Sequence, residues 1–160
     1  MNTESQPKTI SAPLDASGLK VAIVASRFNQ FLVEKLVEGA LDALLRHGAR
    51  KSDLSIIWVP GAWEIPVVTQ RIARQHQFNA IVCVGVLIKG STHHFDMVAN
   101  EACKGIGQIA LETGVPVTMG ILTTDSLTQA IERCGTTMGN QGYSAAMAAI
   151  EVANIFRQID

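Results

Sequence analysis

The densest run of chemically able residues is Gly85-Val86-Leu87-Ile88-Lys89-Gly90-Ser91-Thr92-His93-His94-Phe95. Gly90 lets a ligand approach the backbone closely, and Ser91 or Thr92 can cap a helix that follows. Free N–H groups at that helix start form an anion site. The string is nearly a P-loop, but its lysine, Lys89, precedes the second glycine instead of following it, which argues against a nucleotidase. His94 falls in the first turn of the helix, where the positive end of the helix dipole disfavours an imidazolium. A neutral histidine beside an anion site suits proton transfer at neutral pH. The plainer reading of either histidine is a surface helix residue; the adjoining loop favours the catalytic reading for His94. His93 points elsewhere on the helix, which speaks against a two-histidine metal site.

Two aromatic residues in expected loops, Phe28 and Trp63, could sandwich a flat heterocycle, because a π-face supplies contact area at low entropy cost. Capping the core or filling a subunit contact would use them equally well. Arg27 and Glu64 flank them and can be read as solvated charges. Arg133 stands just ahead of Cys134-Gly135-Thr136-Thr137-Met138-Gly139-Asn140-Gln141-Gly142. Its bidentate fork suits a phosphate, yet a cation near a helix C-terminus is favoured without any ligand.

The elements that must position these residues alternate from Leu19 onward. Residues 19–25 are a short β-branched run, a buried strand. Leu32, Leu36, Ala40 and Leu44 then recur at four-residue spacing beside Val33, Val37, Leu41 and Leu45, an amphipathic helix that Gly48 closes. Residues 54–59 predict a second strand, 65–75 a helix with Pro66 in its first turn, and 80–87 a third strand. Phe95, Val98, Ala99, Ala102, Gly105 and Ile109 mark a long helix stopped by Gly114 and Pro116. Residues 115–122 read as a fourth strand, 126–134 as a short helix and 143–157 as an alanine-rich final helix. This order predicts one α/β domain over residues 19–160, a three-layer α/β/α sandwich on a four-stranded parallel sheet of flavodoxin-like order. Residues 1–18 read as a tail that is mobile or docks on a neighbouring subunit. Ligands of such sheets bind outside the carboxyl ends of the strands. That rule alone nominates the segments 26–29, 60–64, 89–94 and 123–125.

Composition narrows the function classes. Apolar residues make up 48% of the 160 and charged ones 17%, as expected of a globular domain with one real core. A net charge of -1 offers neither the basic face of a nucleic-acid binder nor a polybasic membrane patch. The apolar runs fall far short of the ~20 residues that span a bilayer, and the first residues lack a signal-peptide pattern, so the expected location is the cytoplasm. Cys83, Cys103 and Cys134 are too scattered for a metal knuckle; Cys83 and Cys103 read as small core residues.

Five segments together resemble the lumazine synthase family. They are 27–29 (Arg-Phe-Asn), 59–66 (Val-Pro-Gly-Ala-Trp-Glu-Ile-Pro), 90–95 (Gly-Ser-Thr-His-His-Phe), 120–124 (Gly-Ile-Leu-Thr-Thr) and 129–133 (Gln-Ala-Ile-Glu-Arg). The resemblance runs from about Lys20 to the C-terminus. It implies the joining of 5-amino-6-(D-ribitylamino)uracil to 3,4-dihydroxy-2-butanone 4-phosphate, without metal or organic cofactor. It implies that Phe28 stacks on the pyrimidine, that Ala62, Trp63 and Glu64 hold the ribityl chain, and that Leu87 and Ile88 flank the ring. Gly90, Ser91, Thr92 and Arg133 would bind phosphate, and His94 would move protons. The family's site lies between neighbouring subunits of a pentamer, and Met119 matches a position from which the neighbour covers the ring. Many members carry lysines where this chain has Thr137 and Gln141, so Arg133 and the helix start would carry more of the phosphate binding. Lys89 stands where arginine is common. Many members assemble twelve pentamers into a sixty-subunit shell, and the short turn over 139–142 leaves that assembly open here. Rival readings are an archaeal-type riboflavin synthase, which needs no phosphate site, a flavodoxin-type carrier, which wants a phosphate loop after strand one, and a non-catalytic flavin-binding shell protein.

Overall fold

The computed structural model describes residues 5–91, 93–136 and 138–160. Val21–Ser26 forms strand β1, and all six of its residues are buried. A strand with no exposed position must be covered on both faces, which only a central strand of a layered parallel sheet provides. The second central strand, β3 (Ala80–Ile88), is buried along all but its last residue. The half-buried strands β2 (Leu54–Val59) and β4 (Val117–Thr124) are the edges. The order is β2-β1-β3-β4 with every neighbouring pair parallel, the expected flavodoxin-like arrangement.

The period of two along each strand sorts the core into two layers. Val21, Ile23 and Ala25 join Ala80, Val82, Val84 and Val86 on one face, covered by α1 (Gln30–Arg46) and α5 (Gln141–Ile159). Ala22 and Val24 join Ile81, Cys83 and Leu87 on the other, covered by α2 (Ile65–Ala73) and α3 (His94–Thr113). The α1 stripe read from the sequence is the buried one, with Leu32, Val33, Leu36, Val37, Ala40 and Leu44 all inside. Gly48 ends that helix at φ +100°, a left-handed conformation that costs glycine little.

Helices α1 and α5 cross unusually close. A Cβ on Gly142 would run into the Leu36 carbonyl oxygen, and one on Gly39 would run into the Asn140 side chain. Small residues are thus a condition of the contact, and Ala145, Ala146, Ala149 and Ala153 continue it as buried positions along α5. Over the other face, a Cβ on Gly105 would come within 2.9 Å of Pro66, so the same device brings α3 against α2.

Several boundaries differ from the sequence expectation. Strand β4 starts at Val117, because Pro116 has no N–H for the ladder, although its carbonyl accepts from Ile81 at 2.8 Å. The short helix α4 covers only Leu127–Glu132, with Ser126 as its cap, accepting from the Gln129 N–H at 3.2 Å. Cys83 is buried as expected, whereas Cys103 is only half-buried, on the margin of the α3 stripe. Ahead of β1, Asn154 donates to the carbonyls of Pro13 and Asp15 at 2.8 Å and Gln158 to that of Ser11 at 3.0 Å, which lays residues 11–15 along α5.

The Gly142 contact yields a test. Gly142→Ala should force α1 and α5 apart and lower stability by about 1–3 kcal/mol, read as a reduced denaturant midpoint with an unchanged slope.

Candidate functional site

The residues nominated for chemistry gather at the carboxyl edge of the sheet, and backbone hydrogen bonds hold them there. After β1, the Arg27 N–H donates to the Val59 carbonyl at 2.8 Å and the Phe28 N–H to that of Pro60 at 3.2 Å. These bonds zip the first loop onto the second and carry Phe28 towards the 60–64 segment. Ala62–Glu64 forms a single 3-10 turn, closed by the Glu64 N–H on the Gly61 carbonyl at 3.2 Å. Ala62 is buried in this turn and Glu64 half-buried, its carboxylate folded back over Gly61. Phe28 and Trp63 remain 67% and 58% exposed, too much for residues whose task is to cap the core.

Strand β3 supplies the floor. Leu87 is buried and Ile88 half-buried, and the Lys89 N–H extends the ladder to the Thr124 carbonyl at 2.8 Å. Gly90, Ser91, His93 and His94 follow, all exposed. The residue before α3 is His93, with no side-chain cap bond, and Ser91 lies outside the helix. Thr92 and Thr137 fall outside the described residues. His94 is the first helical residue, as the sequence suggested. His93 itself gives the first N–H groups of α3 no side-chain acceptor.

Arg133 is the exposed residue at the C-terminal end of α4, a helix whose Ala130 packs in the core layer beneath α1 and α5. The three ion pairs among the described residues all lie on α1 or the turn after it, and none involves Arg133, Arg27 or Lys89. Met119 pairs with Cys83, four rungs below the Leu87–Thr123 pair, and is 46% exposed on the sheet's edge. At ~3.3 Å per residue that is about 13 Å from the level of Leu87. One copy of the chain does not bring Met119 to its own Phe28.

Sequence reasoning missed Asn140. Its side chain caps α5 by accepting from the Tyr143 N–H at 3.1 Å and donates to the Lys35 carbonyl of α1 at 2.9 Å. The loop behind Arg133 is closed by Gly135 N–H to Gly139 carbonyl at 2.7 Å and Gln141 N–H to Arg133 carbonyl at 3.1 Å. The only advance signal was an Asn ahead of an alanine-rich run, a common cap pattern. A cavity of about 670 Å³ adjoins this loop. It is a groove between α1 and the α4–α5 connection, lined by Phe31, Lys35, Asp42, Ile131, Cys134 and Thr136 among others. Its lining includes none of Phe28, Trp63 and His94.

The thiols are unsuited to attack. Burial pushes Cys83 up to about 12, against a smaller opposing effect of its hydrogen bond with Thr69, and burial pushes Cys134 up to about 11. Protonated thiols are poor nucleophiles. No helix among the described residues is long and apolar enough to cross a membrane.

The fold is that of a flavodoxin-like α/β protein, a class whose ligands bind where loops leave the carboxyl ends of parallel strands. Within that class the comparisons are specific. A family model described as 6,7-dimethyl-8-ribityllumazine synthase matches residues 18–157. Two relatives from Clostridium kluyveri, both described as 6,7-dimethyl-8-ribityllumazine synthase, are 50% identical over 153 residues, 96% of this chain and 99% of theirs. The chain belongs to the 6,7-dimethyl-8-ribityllumazine synthase family, the enzymes of that step of riboflavin biosynthesis. That membership sets aside the riboflavin synthase and flavodoxin-type alternatives.

The thiols carry a pH prediction. Burial holds Cys83 and Cys134 above the ordinary thiol range, so between about pH 9 and 11 the unfolded chain binds fewer protons than the folded one. Stability should therefore fall as pH rises through that window. Denaturant midpoints at pH 8 and pH 10.5 measure the fall; equal midpoints would contradict the burial of both thiols.

Proposed function

We propose that the chain condenses 5-amino-6-(D-ribitylamino)uracil with 3,4-dihydroxy-2-butanone 4-phosphate, giving 6,7-dimethyl-8-ribityllumazine, phosphate and water. The observation that carries this reading is the family match over residues 18–157. The arrangement of the edge supports it. The exposed Phe28 stacks on the pyrimidine, and Ala62, Trp63 and Glu64 hold the ribityl chain beside it. Leu87 and Ile88 form an apolar floor under the ring. Gly90, Ser91 and Thr92 offer phosphate the start of α3, and Arg133 adds the charge.

The reaction needs held partners and moved protons more than a strong nucleophile. The substrate amine attacks the ketone and loses water to an imine, phosphate departs by elimination, and ring closure of the ribitylamino nitrogen onto the remaining carbonyl expels a second water. His94, at the mouth of the phosphate site, is suited to take and return those protons. Arginine and backbone donors stabilise the leaving phosphate electrostatically. None of these roles calls for a metal or an organic cofactor, and the substrates are small molecules of the cytoplasm.

We infer further that the working unit is a homo-oligomer, a pentamer, which twelve-fold repetition could extend to a sixty-subunit shell. Met119 supports this: an exposed methionine halfway down an edge strand has no task in its own chain's edge, but can cover the ring bound by a neighbour. Arg133, exposed at the end of α4, is likewise suited to a neighbour's phosphate site.

A steady-state assay with both substrates, following lumazine fluorescence without added metal, tests the reading. His94→Ala should lower kcat by about 100-fold or more while changing pyrimidine affinity little. Arg133→Ala should raise KM for the butanone phosphate by roughly 10- to 100-fold. Wild-type protein that binds flavin yet makes no product would leave a carrier or shell protein in place of the enzyme.

A further inference from the structure

We propose that Asn29 is a positioning residue that sets Phe28 against the end of β3; the inference rests on the reading that Phe28 stacks on the pyrimidine. Asn29 has φ 59° and ψ 41°, and only one other described non-glycine residue, His76, has a positive φ. Asparagine tolerates this left-handed conformation better than most side chains. It occupies the N-cap position of α1, and its carbonyl receives the N–H groups of Leu32 at 3.0 Å and Val33 at 3.1 Å. An N-cap asparagine ordinarily has extended backbone and spends its side chain on the first turn of its own helix. This one makes no such bond.

The side chain is spent elsewhere. Nδ2 donates to the Val86 carbonyl at 2.9 Å, a link across 57 residues of chain. Val86 lies two residues beyond Ala25–Val84, the last β1–β3 pair, where the two central strands diverge at the topological switch point. Asn29 therefore continues the seam between β1 and β3 past the end of the ladder. Phe28 sits one residue before it, with its own N–H bonded to the Pro60 carbonyl on the β2 side at 3.2 Å. At 67% exposure the Phe28 ring has too little packing to hold itself in place. Its position is set by these two anchors, β2 through its own amide and β3 through Asn29. Leu87 and Ile88, the floor of the ring site, directly follow the carbonyl that Asn29 holds.

The bond fixes which end of the amide is needed. The partner is a carbonyl, so a donor must face it, and an isosteric carboxylate would put oxygen against oxygen. Asn29→Asp keeps the size, the tolerance of left-handed backbone and the cap position of α1 while abolishing the bond. Asn29→Gly keeps the backbone conformation and removes the side chain altogether.

The test is a double-mutant cycle on the affinity for 6,7-dimethyl-8-ribityllumazine, measured by fluorescence titration, with KM and kcat alongside. Asn29→Asp should weaken binding by roughly 5- to 30-fold and Asn29→Gly by roughly 3- to 10-fold. KM for the pyrimidine should rise while kcat changes little. In a Phe28→Ala background both substitutions should lose most of their effect, because the residue they position is gone. If Phe28→Ala weakens binding but the Asn29 effects are absent, or are the same in both backgrounds, the positioning role is overturned. If Phe28→Ala itself leaves affinity unchanged, it is the stacking reading of the ring site that fails.

Discussion

Everything in this molecule depends on burying β1 and β3 on both faces. The two strands carry almost unbroken apolar sequence, so no polar side chain can be projected from their middles without losing its water. Helices must close both faces, and they do so tightly enough that a side chain at Gly39, Gly105 or Gly142 would have to displace a neighbour. Polar and aromatic residues with chemical uses are left only one place that the central strands can still aim, the edge where the chain leaves the sheet. The nominated residues stand where they do because the rest of the sheet is full.

That edge is open, and its openness bears on function. Phe28 and Trp63 project from backbone that is pinned, while their rings are largely free. The order resides in the main chain, through bonds from Arg27, Phe28 and Lys89 to neighbouring strands, rather than in side-chain packing. Such a surface keeps its shape without a ligand and costs little reorganisation when one arrives. Met119 is exposed on the edge strand β4, at the level of Cys83 rather than of Leu87.

Much of the fold was legible because buried runs and helical stripes leave a periodic trace. The α1 stripe from Leu32 to Leu44 and the strand at Leu54–Val59 could be read directly. Misreadings fell where a local rule was overruled by neighbours or by covalent chemistry. Pro116 displaced the start of β4 because it lacks a donor. Ser91, a good cap residue, was passed over because the chain does not turn helical until His94. Asn140 could be seen as a cap, but not as the anchor of α5 to α1, since Lys35 is 105 residues away.

The sequence by itself determined the element types, their parallel order and the segments that could meet a ligand. Those follow from periodicity and from the rule that parallel strands deliver their loops to one edge. It also carried the family, through five short segments whose order is hard to reproduce by chance. Only the tertiary structure decided which of those segments touch. The zipping of 27–28 onto 59–60, the reach of Asn29 to Val86 and the separation of Met119 from Phe28 are relations between residues distant in sequence. A hydrogen-bond donor leaves no periodic trace of its acceptor, so these relations could not be read until the chain was folded.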